Sequence, residues 1–173
     1  MSGYELSKAD RQRLVNGIVG QLEDFPRQHA ALESAMAEFG EDFDLGPFKD
    51  AFDSVEDLTA YNRAQAVERA VGRVQNLLTD LAMSGARLAE LPIKPSAKDD
   101  SRAKPFFDAL RDVEVIDAEL SRRLEKGQKA RSRLEHDYLR MPAGDVHRAT
   151  RLVHETARDF IGPYRAWIEP YLN

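Results

Sequence analysis

The chain has no cysteine, a single tryptophan, and no apolar run long enough to cross a bilayer. Without cysteine it can build no disulfide scaffold, thiolate zinc site, iron–sulfur cluster or thiol nucleophile, and a reducing cytoplasm is the expected location. The opening residues, MSGYELSKADRQRL, lack the apolar centre of a signal peptide, so neither export nor a membrane partner is expected. There is no sustained period-two alternation of β-branched and aromatic residues, which leaves little basis for a sheet. No Gly-rich phosphate loop, His-Glu-x-x-His pair or Ser-centred nucleophile elbow occurs. No cofactor and no metal site are therefore expected. Acidic residues outnumber basic ones, 30 to 25, for a net charge of −5, which argues against a broad basic surface for nucleic acid.

What is there is 173 residues, 42% of them hydrophobic, enough to bury one core without staples. Ala, Leu, Glu, Arg and Lys dominate, and the expected fold is all-α: an antiparallel helical bundle forming a single domain over residues 1–173. A first helix is expected from about Lys8 to Phe39, carrying Leu14, Val15, Ile18, Val19, Leu22 and Phe25 at helical spacing and kinked or divided at Pro26. GEDFDLGPF, residues 40–48, reads as a solvated turn, because its acids lack the alternating ligands and glycine position of a calcium loop.

From about Val55 to Leu91, Val67, Val74, Leu81 and Leu88 recur every seven residues, with Ala70, Val71, Leu77, Leu78 and Gly85 completing one stripe. This predicts a long helix with a continuous buried seam. The Pro-rich stretch from Leu91 to Pro105 ends it. Two shorter helices are predicted near Pro105–Val113 and Asp117–Tyr138, with Asp117 as N-cap. A final helix is expected after Met141, Pro142 and Gly144, capped by Asp145 and bent at residues 162–164. On it, His147 and His154 stand about 10.5 Å apart along the axis, too far to share one metal, and read as part of a solvated face.

The helix from Asp117 breaks its own pattern. Its apolar stripe steps through Leu120, Leu124 and Gly127 to Arg131, Leu134 and Tyr138. An arginine in phase with a buried stripe costs free energy unless it is paired, reaches water along its stem, or is held for use. His136 is rotated about 140° from Arg131 on an ideal helix, so the two converge only if the helix unwinds or a second subunit supplies its copy. The surrounding segment is locally basic, Arg122, Arg123, Lys126, Lys129, Arg131, Arg133 and Arg140 outweighing Glu119, Glu125, Glu135 and Asp137. A small cationic site on an acidic body favours short, local phosphate contact. The blander account is a solvated charged face with i,i+4 pairs such as Glu125 and Lys129.

RSRLEHDY, residues 131–138, resembles the Arg-x4-His-x-Tyr signature of HEPN-domain proteins of the HepT type. The match extends over about the last two thirds of the chain, through the Ala-rich helix, the run Phe107, Leu110, Val115, Ile116, Asp117, Glu119 and Leu120, and the aromatic closing helix; residues 1–50 match less well. The resemblance implies a HEPN-like bundle and the toxin of a type II toxin–antitoxin system. Such a toxin is a homodimeric, metal-independent endoribonuclease, partnered by a minimal nucleotidyltransferase antitoxin that neutralises it by transferring AMP to the tyrosine. Carried across, Arg131 and His136 form the ribonuclease site and Tyr138 is the AMP acceptor. Two positions depart from the usual pattern: Ser132, where Asn is common, and Glu135, where a small apolar residue is common.

The chemistry suits these residue types. RNA cuts itself when its 2′-OH attacks the adjacent phosphorus, given a base, an acid for the 5′-oxygen, and cationic donors for the phosphorane. His136 can act as acid or base, Arg131 as the phosphate fork, and Lys129, Ser132 and Arg133 as RNA-backbone contacts. A dimer would supply two copies of each. The alternative from another class is a non-catalytic helical dimer that binds a nucleotidyltransferase or a nucleotide, and the departures at Ser132 and Glu135 favour it.

Overall fold

Ser7 starts the first helix by accepting a hydrogen bond from the Asp10 amide at 3.1 Å, satisfying one of the donors a helix start leaves open. The computed structural model describes residues 6–97, 101–136 and 141–173, and in them it has six α-helices, a closing 3-10 turn and no strand. The helices are α1 (Lys8–Ala37), α2 (Leu45–Phe52), α3 (Leu58–Leu88), α4 (Lys104–Asp112), α5 (Ala118–His136) and α6 (Ala143–Ile168).

Side-chain pairs fix the directions of the long helices. Arg11 at the start of α1 pairs with Glu90 just past α3 at 2.7 Å, and Glu38 after α1 pairs with Arg63 early in α3 at 3.6 Å, so these helices are antiparallel. Tyr164 donates to the Leu81 carbonyl at 2.6 Å, while Val146 shares a buried cluster with Val67, so α6 runs parallel to α3. Arg123 meets Asp159 at 2.7 Å, and a Cβ at Gly127 would lie against Val153, which makes α5 antiparallel to α6. The result is the expected antiparallel bundle, with α1 and α5 running one way and α3 and α6 the other.

The predicted seam is the core. Val67, Val74, Leu81 and Leu88 are all fully or almost fully buried. Around them, Ile18, Phe25 and Leu32 of α1 pack with Leu120 and Leu124 of α5 and with Phe160, Tyr164 and Ile168 of α6. Asp117 caps α5 as expected, accepting from the Leu120 amide at 2.7 Å.

Four local expectations are corrected. Pro26 does not divide α1. A proline cannot donate to the carbonyl four residues back, here Leu22, and Arg165 of α6 takes that carbonyl instead at 2.8 Å. Residues 40–48 are not merely a solvated turn: Gly40 turns the chain at φ +100°, but α2 begins at Leu45, and Phe43, Phe48 and Phe52 are buried in a second cluster with Phe39, Val67 and Val146. The acids Glu41 and Asp42 are exposed, and their charge masks the buried aromatics Phe39 and Phe43 on either side of them. The final helix begins at Ala143 after Pro142, so Asp145 does not cap it but lies in its first turn, paired with Arg148. His147 is not on a solvated face either. It is buried, stacked on Phe43, with Nε2 2.6 Å from the Phe43 carbonyl.

Candidate functional site

The C-terminal half of α5 lies across α3 at a groove of about 250 Å³. From α3 come Glu68, Arg69, Gly72, Arg73 and Asn76; from α5 come Arg131, Leu134 and Glu135. Heptad packing explains the placement. With Val67, Val71 and Val74 turned into the core, Arg69 and Arg73 fall one turn apart on the exposed flank of α3. Neither takes part in an ion pair among the described residues. α5 can approach because Gly127 has no side chain: a Cβ there would collide with Gln75.

Arg131 stands where the stripe placed it, half-buried, with 24% of its side chain exposed. Its Nη2 meets Glu135 Oε1 at 2.6 Å, one turn on, and its Nε is buried with no hydrogen-bond partner. Its charge also acts on Asp80 of α3. That residue keeps an exposed edge, but crowding strips water from its carboxyl and raises its pKa, an effect the Arg131 charge opposes.

His136 is the last residue of α5, with 75% of its side chain exposed. Its Nε2 lies 3.9 Å from Glu135 Oε2, so one carboxylate stands between the two residues, one oxygen toward each. The helix is intact through His136, so unwinding does not bring Arg131 and His136 together among the described residues. Ser132 and Arg133 are exposed on α5 outside the groove lining, and Lys129 is paired with Glu125 at 2.8 Å. Tyr138 lies outside the described residues. Nothing in the sequence marks Arg69, Arg73 and Asn76, because it does not indicate what an exposed flank of α3 faces.

A second constellation lies on the opposite pairing of the bundle, between α1 and α6. His154 Nε2 is 3.0 Å from Glu33 Oε1, and His29 Nδ1 is 3.7 Å from the same oxygen. The imidazoles stack with centroids 5.1 Å apart and 9° between planes, and His29 also stacks on Phe25. Burial lowers the pKa of His29, opposed by the Glu33 charge; the hydrogen bond from His154 lowers that of Glu33. Glu33 and His154 open onto a cavity of about 390 Å³, also lined by Glu41, Asp42, Arg151, Glu155 and Arg158. His29 and Glu33 stand at i,i+4 on α1, a weak signal by itself, and His154 is 121 residues from Glu33.

No helix among the described residues is long and apolar enough to cross a membrane. No protein-family model, curated protein or solved structure matches the chain.

Proposed function

We propose that the chain is a metal-independent endoribonuclease that works as a homodimer, the toxin of a type II toxin–antitoxin system neutralised by a minimal nucleotidyltransferase. The observation that carries this reading is the convergence of three arginines, Arg69, Arg73 and Arg131, from two helices on one groove, beside a helix end that displays an exposed histidine. Guanidinium groups suit phosphate because their fork is fixed and permanently charged. The resemblance of residues 131–138 to the HepT signature supplies the reaction class and the cytoplasmic setting.

In the proposed mechanism an RNA phosphate displaces Glu135 from Arg131 and settles among the arginines. An imidazole takes the proton of the 2′-OH, the 2′-oxygen bonds to phosphorus, and the P–O5′ bond breaks as a second imidazole protonates the leaving oxygen. Arg131 holds the charge that develops on the phosphorane. One chain has a single histidine here, separated from Arg131 by the Glu135 carboxylate, so the second copy of α5 provides the partner groups across a two-fold axis. Lys129, Ser132 and Arg133, on the exposed side of α5, contact the RNA backbone. In neutralisation, the Tyr138 phenol attacks the α-phosphorus of ATP, forms a tyrosyl-AMP bond and releases pyrophosphate.

Expression in a bacterial host tests the proposal. Wild type should arrest growth, and Arg131→Ala or His136→Ala should relieve the arrest; an equal arrest by His136→Ala contradicts it. Incubation with ATP and the nucleotidyltransferase should add the mass of AMP to wild type and not to Tyr138→Phe. The Arg131–Glu135 pair favours a second reading, a dimer that binds a nucleotidyltransferase or nucleotide and cuts nothing. That reading predicts no arrest from any variant.

A further inference from the structure

We infer that His29, Glu33 and His154 form a binding site for one divalent transition-metal ion of the Zn²⁺ class, joining α1 to α6. Imidazole and carboxylate are the donors that Zn²⁺ takes when thiolate is absent, and two histidines with one acid leave a coordination position open. The distances fit. Zinc bonds of ~2.0–2.1 Å place neighbouring tetrahedral ligands about 3.4 Å apart. Glu33 Oε1 lies 3.0 Å from His154 Nε2 and 3.7 Å from His29 Nδ1, and one ligand atom from each residue falls within 4.8 Å of the other two.

A second observation points the same way. His29 is mostly buried, and its Nδ1, the nitrogen toward Glu33, lies beyond hydrogen-bonding distance of that carboxylate but within reach of a shared ion. Stacking on Phe25 accounts for the burial of the ring, but not for the gathering of a second imidazole and a carboxylate around its Nδ1 side. Nearly parallel rings cannot both aim an in-plane lone pair at one point, so binding turns the rings about χ2. That torsion is broad for histidine, and the cavity leaves His154 room to turn. The open position faces this cavity, where Arg151 and Arg158 favour water or a small anion as the remaining ligand, and Glu41, Asp42 and Glu155 keep the local field favourable to a cation.

None of these residues lines the Arg131 groove, so the inference stands apart from the proposed ribonuclease activity. Isothermal titration of the untagged full chain with Zn²⁺ at neutral pH tests it. Wild type should take up one ion per chain and gain thermal stability. Glu33→Gln, an exposed and isosteric change, and His154→Gln should each weaken binding by at least the roughly 10–100-fold that losing a mere outer-shell partner costs. Acid should weaken uptake, because metal ligands must be deprotonated to bind. Absence of stoichiometric uptake by wild type, or undiminished affinity in folded Glu33→Gln, overturns the inference.

Discussion

The Arg131 groove and the histidine cluster between α1 and α6 are built in opposite ways. In the groove, Arg131, Glu135 and His136 come from one stretch of α5, are part exposed, and are paired chiefly with each other. In the cluster, His29 and His154 are largely covered, come from distant parts of the chain, and meet over one carboxylate. Charged groups that stay near water keep ordinary chemistry available to a substrate. Groups drawn under the surface are tuned by their neighbours and are coupled to the fold. The two exposed and buried extremes are His136 and His147: one stands in solvent at a helix end, the other holds the Phe43 carbonyl in the aromatic cluster.

The largest expected effect tests whether the aromatic cluster that holds His147 is true core. Phe48 is fully buried among Phe39, Phe43 and Phe52, so Phe48→Ala should cost about 3–5 kcal/mol in urea unfolding. Leu45→Ala, at an exposed position of the same helix, should change stability by no more than about 0.5 kcal/mol. Equal effects would mean that α2 is not anchored as described.

Next, His147→Ala should cost about 1–3 kcal/mol, because the Phe43 carbonyl is left buried without its partner. His136→Ala should leave stability within about 0.5 kcal/mol of wild type. A large loss from the second, measured by the same unfolding, would erase the distinction between the two histidines.

A smaller change concerns Glu135, which occupies Arg131 in the free chain. Glu135→Ala should tighten binding of a short RNA about tenfold, equivalent to ~1.4 kcal/mol, read by fluorescence anisotropy at fixed salt. Unchanged or weaker binding would show that Arg131 does not meet phosphate.

The smallest effect is a pH dependence. His29 is kept neutral by burial, against the pull of Glu33, with His154 and Arg158 adding positive charge nearby. The unfolded chain gains this proton near its ordinary pKa of 6.5, whereas the folded chain gains it only at lower pH. Stability from His29 is therefore full above 6.5 and declines as the pH falls toward the lowered folded value. Glu33, held below its ordinary 4.5 chiefly by the His154 hydrogen bond, adds a further loss as its carboxylate protonates. Thermal melts of metal-free protein should fall with acid more steeply in wild type than in His29→Gln; parallel curves would contradict the burial effect.

The contrast also explains what the sequence made legible. Val67, Val74, Leu81 and Leu88 announce their helix because burial repeats along it, and Asp117 announces its cap because capping is local. Arg131 was visible as a break in a stripe for the same reason. Phe43 and Phe48 were hidden by the exposed acids beside them, and Pro26 looked like a break because its remedy, Arg165, comes from another helix. Arg69 and Arg73 joined the site only once α5 was laid across α3, and the pairing of His29 with His154 exists only in three dimensions.

The most direct measurement of the central claim is end-group analysis of RNA incubated with the purified protein in EDTA. Wild type should yield 2′,3′-cyclic phosphate ends, and His136→Ala should cut about 10²–10⁴-fold more slowly. Cleavage that stops in EDTA, or persists at the wild-type rate in His136→Ala, would contradict the assignment.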